Sequence, residues 1–541
     1  MARKRMRFWI GSAALAFSSL AMAGAPSAPS APAYDTVLKG GTVYTGDAPP
    51  FVGDVAISGD KIVYVGRKAP GRAGKIINAH DLVVAPGFID PHTHAGDALL
   101  SENPVARLLL PFLTQGVTTV FIGGDGLGSP NIAKTLGTIE GAAAGETRSG
   151  YGVNFATYVG FGAVRSAVIG QSDRAPTSDE LGQMQTIVAN AMCEGAIGLS
   201  SGLFYAPQSF AKRDEVTALA RIAGSAGGVY DTHLRDESSY SIGLLASIDE
   251  ALAIGRDASL PLHIAHIKAL GVDVQGMAPQ VISKIEAAQA SGQIVSADQY
   301  PWSASGTGLS AALIPRWAQD GGRAAMLDRF ANPETRSRMR PEIEDNLRRR
   351  GGPAALLITA GPNWAIDKTL KEIAEARATD PVVATMDLLS VDEVKVASFN
   401  QSESDIALFM QRPWVVTSSD ASLGHPRYYG SFARKYDTYV RDRKVIDLRT
   451  FIASSTIRPA RIFGLKDRGE LRAGAYADIV AVDPRRFRPR ADYMHPTAFS
   501  TGVVAVLVNG KIAIEDGAAT GTGAGLPLPG KGRGTKCSAP Q

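Results

Sequence analysis

Short apolar runs recur along the chain, each bounded by glycine, proline or polar residues. The runs at 117–122, 154–159, 196–200, 228–232, 261–265, 294–297 and 414–418, with the one that closes on His92, make eight. Runs of this length suit strands buried on both faces, and segments such as 215–226 and 247–257 carry helical spacing between them. Strand and helix in alternation predict a parallel α/β arrangement, and eight repeats predict a TIM-type (β/α)8 barrel.

The two ends of the chain read differently. Residues 34–85 alternate short β runs with glycine turns, as in Thr36-Val37-Leu38-Lys39-Gly40-Gly41, and 467–520 does the same around 477–482 and 503–508. Neither piece offers enough strands to bury a core alone, so the expectation is a small β-sandwich built from both termini, flanking a barrel over 86–466. Within that barrel, 303–402 interrupts the pattern after strand seven and is rich in charge and helix formers around 323–350. An insertion there is expected to act as a lid. Residues 521–541 form a tail.

Composition changes this picture at the N-terminus. Residues 1–23 combine Arg3, Lys4, Arg5 and Arg7 with an apolar stretch ending in Ala21-Met22-Ala23, the pattern of a cleavable signal peptide, followed by a flexible leader at 24–33. The apolar part is short of the roughly 20 residues of a membrane span, so a periplasmic or secreted protein with no stable membrane anchor after processing is expected. The chain of 541 residues carries a net charge of +4, and losing those four basic residues brings the mature protein near zero. Nucleic-acid binding is therefore not expected. Cys193 and Cys537 are the only cysteines, which excludes a disulfide framework and a cysteine zinc site. Cys193 reads as a core residue.

The candidate chemistry lies at the strand ends. In Phe88-Ile89-Asp90-Pro91-His92-Thr93-His94 the two histidines are spaced i, i+2, so both imidazoles project to one face of an extended segment. Only eight histidines are present, and His233, His263 and His266 also follow apolar runs. One histidine beside such a run is ordinarily a hydrogen-bonded core residue. Several at strand ends that converge on one barrel face point to a metal site. His80 and His495 lack such runs and read as surface or structural residues.

The chain resembles the amidohydrolase superfamily, and within it the N-acyl-D-amino-acid deacylases or D-aminoacylases. The resemblance rests on the motif ending in His92 and His94, on Gly198-Leu199-Ser200-Ser201-Gly202-Leu203, Thr232-His233-Leu234-Arg235-Asp236-Glu237, His263-Ile264-Ala265-His266-Ile267-Lys268, Ser418-Ser419-Asp420, His425-Pro426-Arg427-Tyr428-Tyr429-Gly430, and Arg458-Pro459-Ala460-Arg461. It implies one or two zinc ions, with His92, His94 and Asp420 around one position and His233 and His266 at another. Where these relatives carry a zinc-binding cysteine, this chain has Asp125 in Gly123-Gly124-Asp125-Gly126. A carboxylate can ligate zinc too, though it is a harder donor than thiolate. Phe161 stands where relatives tend to carry histidine.

The resemblance further implies hydrolysis of the amide bond of an N-acyl amino acid, with N-acyl-D-amino acids foremost and bulky aromatic amides also admissible. A zinc-activated water attacks the carbonyl, and Asp420 takes its proton and returns it to the leaving amine. The free carboxylate of such a substrate calls for cations, and Lys268 and Arg427 stand at family positions for it, with Tyr300 as a hydrogen-bond donor beside them. Phe161, Phe204, Tyr205 and Trp302 suggest an aromatic-lined pocket. A dipeptidase or cyclic amidohydrolase of the same superfamily remains open, as does an inactive binding protein; the chain's partner is a small molecule, and a homo-oligomer is compatible with the sequence.

Overall fold

The computed structural model describes Met1, Trp9, residues 33–140 and residues 150–534. The signal peptide and leader expected at 1–33 lie almost wholly outside the described residues, as does the tail beyond 534. No helix among the described residues is long and apolar enough to cross a membrane.

Each of the eight expected runs forms strand, the one at 154–159 as two short strands. Phe88–Asp90, Val117–Ile122 and Asn154–Thr157 pair in parallel. Val159–Gly160, Gly198–Gly202, Val229–His233, Leu262–Ile264, Val295–Gln299 and Val415–Thr417 make a second parallel sheet in that order. Only Tyr158 separates the adjoining strands of the two sheets. At the other junction a parallel bridge joins Thr93 to Ala421, and Asp420 N donates to His92 O at 3.0 Å. Nearly every strand residue is buried, as expected where helices cover the outer face of a parallel sheet. Helix Ser178–Glu194 shows how local sequence sets those helices: Thr177 and Glu180 form a reciprocal capping box, and Gly195 ends the helix at φ 116°, a conformation glycine adopts without a Cβ penalty.

The two termini share one nine-stranded sheet. Ile479–Val482 runs antiparallel to Val83–Pro86, joining the strands of 33–86 to those of 479–519. Leu38, Val55, Ile57, Ile479 and Leu507 pack together in its core. The insertion has its own three-stranded antiparallel sheet, Ala304–Gly308, Lys395–Phe399 and Leu356–Ala360, and its own apolar core around Leu309, Phe330, Met339, Ile343 and Leu388. It is docked on the parallel strands' loops, where Val272 N donates to Arg349 O at 3.1 Å and Arg348 grips Asp273 through two hydrogen bonds of 2.6 and 2.9 Å.

The chain's last described segment runs beneath the opposite, N-terminal ends of the strands. Phe155 N donates to Leu526 O, Leu528 N to Phe155 O and Gly530 N to Gly195 O, at 3.0, 2.7 and 2.9 Å. Cys193 is buried there as expected. It is also disulfide-bonded, which corrects its reading as a core residue without further role; Cys537 lies outside the described residues. The sequence could not show this, because the tail carries no pattern that places it against the helix Ser178–Glu194.

Candidate metal centre

The strand-end motifs are zipped together by the residues around them. Asp90 accepts from Ser419 N at 3.0 Å and His92 N at 3.4 Å, and His94 N donates to Ala421 O at 2.9 Å. The end of the last strand is thereby held against the end of the first, and Asp420 is delivered beside His92 and His94. Asp125 arrives on a glycine loop. A Cβ at Gly124 would stand 2.8 Å from His92 Cε1, so only glycine lets that loop pass over the imidazole. Ser200 Oγ and Gln208 then fix the loop: Gly126 N donates to Ser200 Oγ at 3.1 Å, and Gln208 Nε2 donates to Asp125 O at 2.9 Å.

Asp125 sits between three imidazoles. Its Oδ1 lies 3.5 Å from His92 Nε2 and 3.3 Å from His266 Nε2, and its Oδ2 lies 3.4 Å from His94 Nε2. Asp420 Oδ1 is 3.2 Å from His94 Nε2 and 3.8 Å from His92 Nε2. His233 stands next to His266 with ring centres 4.6 Å apart. Asp125, His266 and Asp420 all take left-handed backbone, with φ of 55°, 35° and 47°, a concentration of strained conformations of the kind found at functional sites. His263 does not join this group. It faces the interior, bonded to Ser296 Oγ at 2.8 Å and Asp298 Oδ2 at 2.9 Å. His80 and His495 lie on the surface.

Four groups with mutually close donor atoms emerge: His92, Asp125 and His266; His92, His94 and Asp420; His233, Glu237 and His266; and His92, Asp231 and Asp298. Both ring nitrogens of His92 are buried without a hydrogen-bond partner, and an orphaned imidazole amid carboxylates fits a metal. The electrostatics agree. Burial disfavours charge on every imidazole here, yet Asp125 and its carboxylate neighbours raise the proton affinity of His92 and His94 above the ordinary range. His266 is raised to about 9, against burial and the Lys268 ammonium, by Asp420 and Asp125. A proton held this way marks a field that equally favours a metal cation. Burial instead pushes His233 down to about 4, with Glu237 offsetting part of it.

Two carboxylates in and beneath the site carry no signal in the sequence pattern. Glu237, four residues past His233, accepts from Lys268 Nζ at 2.6 Å and lies 3.3 Å from His266 Nδ1. Asp298, on strand Val295–Gln299, accepts from His266 N at 2.9 Å, His263 Nε2 and Ser418 Oγ. The i, i+4 spacing of His233 and Glu237 could have drawn attention to the first, but the segment between them is a loop, where spacing says nothing of direction.

The predicted substrate-binding residues are close but committed. Arg427 Nη1 stands 2.6 Å from Asp420 Oδ2, and its guanidinium lies 5.0 Å over the Tyr300 ring. Burial opposes ionisation of Asp420, and Arg427 and the imidazoles overcome it, holding the carboxyl well below the usual range. Lys268 is paired with Glu237. Tyr300 accepts from Gln401 Nε2 at 2.9 Å, and burial drives its phenol far above the ordinary value, so it stays protonated. A cleft of about 430 Å³, part of it open to solvent, gathers His94, Asp125, His233, His266 and Asp420 with Lys268 and Tyr300. Phe204, Tyr205 and Tyr240 supply its aromatic wall, whereas Phe161 and Trp302 are not among its lining residues.

Parallel strands that deliver imidazoles and carboxylates to one cleft define an α/β protein built to hold a cation. Residues 153–514 match the model of the Amidohydrolase family, and the chain belongs to that family. It is 31% identical to D-aminoacylase of Alcaligenes xylosoxydans xylosoxydans, across 90% of this chain and 96% of the relative. Its fold matches a solved D-aminoacylase, studied for its binuclear metal centre, with a TM-score of 0.76 at 30% identity over 92% of this chain and all of the other. A zinc- and phosphonate-bound N-acyl-D-glutamate deacylase of Bordetella bronchiseptica gives a TM-score of 0.76 at 27% identity, with the same shares covered. The kinship expected with the D-aminoacylases is borne out.

Proposed function

We propose that the protein is a metal-dependent hydrolase of N-acyl amino acids, N-acyl-D-amino acids foremost, using one or two zinc ions. The observation that carries this reading is the carboxylate of Asp125 within 3.3–3.5 Å of His92, His94 and His266, with Asp420 beside them. The D-aminoacylase and deacylase relatives support the substrate class. The pairing of Thr93 with Ala421 supports closure of the eight strands as a (β/α)8 barrel, the nine-stranded sheet serving as the small sandwich and the 303–402 insertion as the lid.

In this reading His92, His94 and Asp420 hold one metal position and His233 and His266 the other, with Asp125 reaching toward both. The bound metal supplies Lewis acidity to the scissile carbonyl and acidifies water. Asp420, ionised because Arg427 holds it so, accepts a proton from the attacking water and delivers it to the departing amine, which must leave neutral. The Tyr300 hydroxyl remains a donor for the substrate's oxygens, and Lys268 and Arg427 present positive ends toward its carboxylate side. The basic, apolar N-terminus supports export to the periplasm or medium, testable by N-terminal sequencing of the mature protein.

The decisive experiment measures metal content together with turnover on a panel of N-acyl-D- and N-acyl-L-amino acids and dipeptides. Zinc at one or two equivalents with release of free D-amino acid is expected. Turnover confined to dipeptides would favour the dipeptidase reading, and a metal-free, inactive protein after reconstitution would leave only a binding role.

A further inference from the structure

One wall of the cleft carries a charge without a counter-charge. Arg350 directly follows the insertion's helix Pro333–Arg349, is 2% exposed and lines the same cleft as Asp125 and Asp420. Its Nε donates to Tyr240 Oη at 2.5 Å and its Nη1 to Ser305 Oγ at 3.4 Å. Both partners are neutral. Among the described residues no carboxylate oxygen comes within 4.0 Å of its guanidinium. The nearby Asp236 is taken up by the backbone N–H groups of Ser238, Ser241 and Gly243 at 2.9, 2.6 and 3.0 Å.

A second guanidinium reinforces the positive field. Arg316, also on the insertion, lies 4.0 Å over the ring of Phe204, a lining residue, and its Nη2 is buried with no hydrogen-bond partner. Burial and the neighbouring Arg350 help to bring its pKa down to about 10. The other two cations at this site differ in that each already faces a carboxylate, Lys268 that of Glu237 and Arg427 that of Asp420. Leaving a buried guanidinium unpaired is costly, and the cost is relieved when an anion with matching geometry binds.

We propose that Arg350 binds a carboxylate of the substrate, so that the insertion contributes an anion-recognition subsite. Planar guanidinium suits that task, because its N–H donors form two parallel bonds to a carboxylate. Tyr240 and Ser305 orient the group from behind. The carboxylate is either the α-carboxylate beside the scissile amide, which Arg350 then shares with Lys268 and Arg427, or one on an acidic side chain; both present the same chemistry to Arg350. The inference rests on the amide-hydrolase reading above for the identity of the ligand, while the unpaired guanidinium stands without it.

The test compares zinc-loaded wild type, Arg350→Gln and Arg350→Lys on N-acetyl-D-leucine, N-acetyl-D-glutamate and N-acetyl-D-leucinamide. Loss of a charge-assisted pair predicts a fall of roughly tenfold or more in kcat/KM for Arg350→Gln, with partial recovery in Arg350→Lys. A fall for leucine and glutamate substrates but not the amide assigns the α-carboxylate; a fall confined to glutamate assigns the side chain. Equal kcat/KM in wild type and Arg350→Gln, or an equal fall on all three compounds, would overturn the subsite. Calorimetric binding of N-acetyl-D-glutamate and N-acetyl-D-leucine to zinc-loaded Asp420→Asn, with and without Arg350→Gln, separates the two claims. If wild type hydrolyses none of the compounds but binding of either still weakens on Arg350→Gln, the hydrolase reading fails and the subsite stands; unchanged binding of both overturns the subsite.

Discussion

The two ends of the parallel strands are built on opposite principles. At the C-terminal ends, His92 has two orphaned ring nitrogens, Asp125, His266 and Asp420 sit in left-handed backbone, and buried charges crowd one another. At the N-terminal ends, the chain's last described segment satisfies backbone groups one by one against Phe155 and Gly195, and Leu528 packs near Ile197 and Val229. One end holds unsatisfied polar atoms in place for a cation. The other seals the molecule. Damage at the first end should therefore appear in metal and turnover, and damage at the second in stability.

The largest expected effect is on Asp125. Asp125→Ala should lose more than about 100-fold in zinc affinity, because a ligand is removed where even supporting residues are worth 10- to 100-fold, and activity should go with the metal. Asp125→Cys should keep activity and tighten zinc, as thiolate is the softer donor. Metal analysis after dialysis decides this, and unchanged zinc and turnover in the alanine variant would make Asp125 a turn residue only. Asp420→Asn comes next. It keeps shape while losing the base, so turnover should fall about 10²- to 10⁴-fold, while most of the zinc held with His233 and His266 stays.

At the sealed end the signature reverses. Reducing the disulfide at Cys193, or truncating the chain before Thr522, should lower the melting temperature by several degrees, since it releases a segment held by backbone hydrogen bonds and a cross-link. kcat at 25 °C should be unchanged. A loss of turnover without a loss of stability would break the division between the two ends.

The smallest effect concerns a buried charge outside the cleft. Lys435, 1% exposed, donates to Thr417 Oγ1 at 2.8 Å, and burial, assisted by Arg458, lowers its pKa from 10.5 to about 7. Between those values the unfolded chain holds a proton that the native protein lacks, so this group's penalty is full below about pH 7 and shrinks as pH rises. Lys435→Met should therefore raise the melting temperature by a few degrees more at pH 6 than at pH 9. An equal change at both values would show that the ammonium is not what the burial disfavours.

Periodicity and residue chemistry made much of this legible. Each of the eight apolar runs became strand, the one at 154–159 broken at Tyr158, because strands buried on both faces leave little room for polar residues. His92 and His94 were visible as a pair because i, i+2 is the spacing of one strand face. Asp125 and Asp420 entered only through resemblance, and the fold brings both among the histidines. Glu237 and Asp298 were silent, since a carboxylate in a loop and one inside a strand look like any turn or any interruption. His263 matched the strand-end pattern and yet turned inward, because one residue of register decides which face an imidazole takes.

Sequence alone determined the elements, the α/β class and the histidine ligands, all of which follow from local spacing. Only the tertiary structure decided which groups are paired. Arg427 meets Asp420, Lys268 meets Glu237, and Arg350, 77 residues before Arg427 in the chain, arrives from the insertion to face the cleft without a carboxylate. Charge pairing depends on distances of a few ångströms between segments far apart in the chain, and these exist only once the strands have set the loops in place.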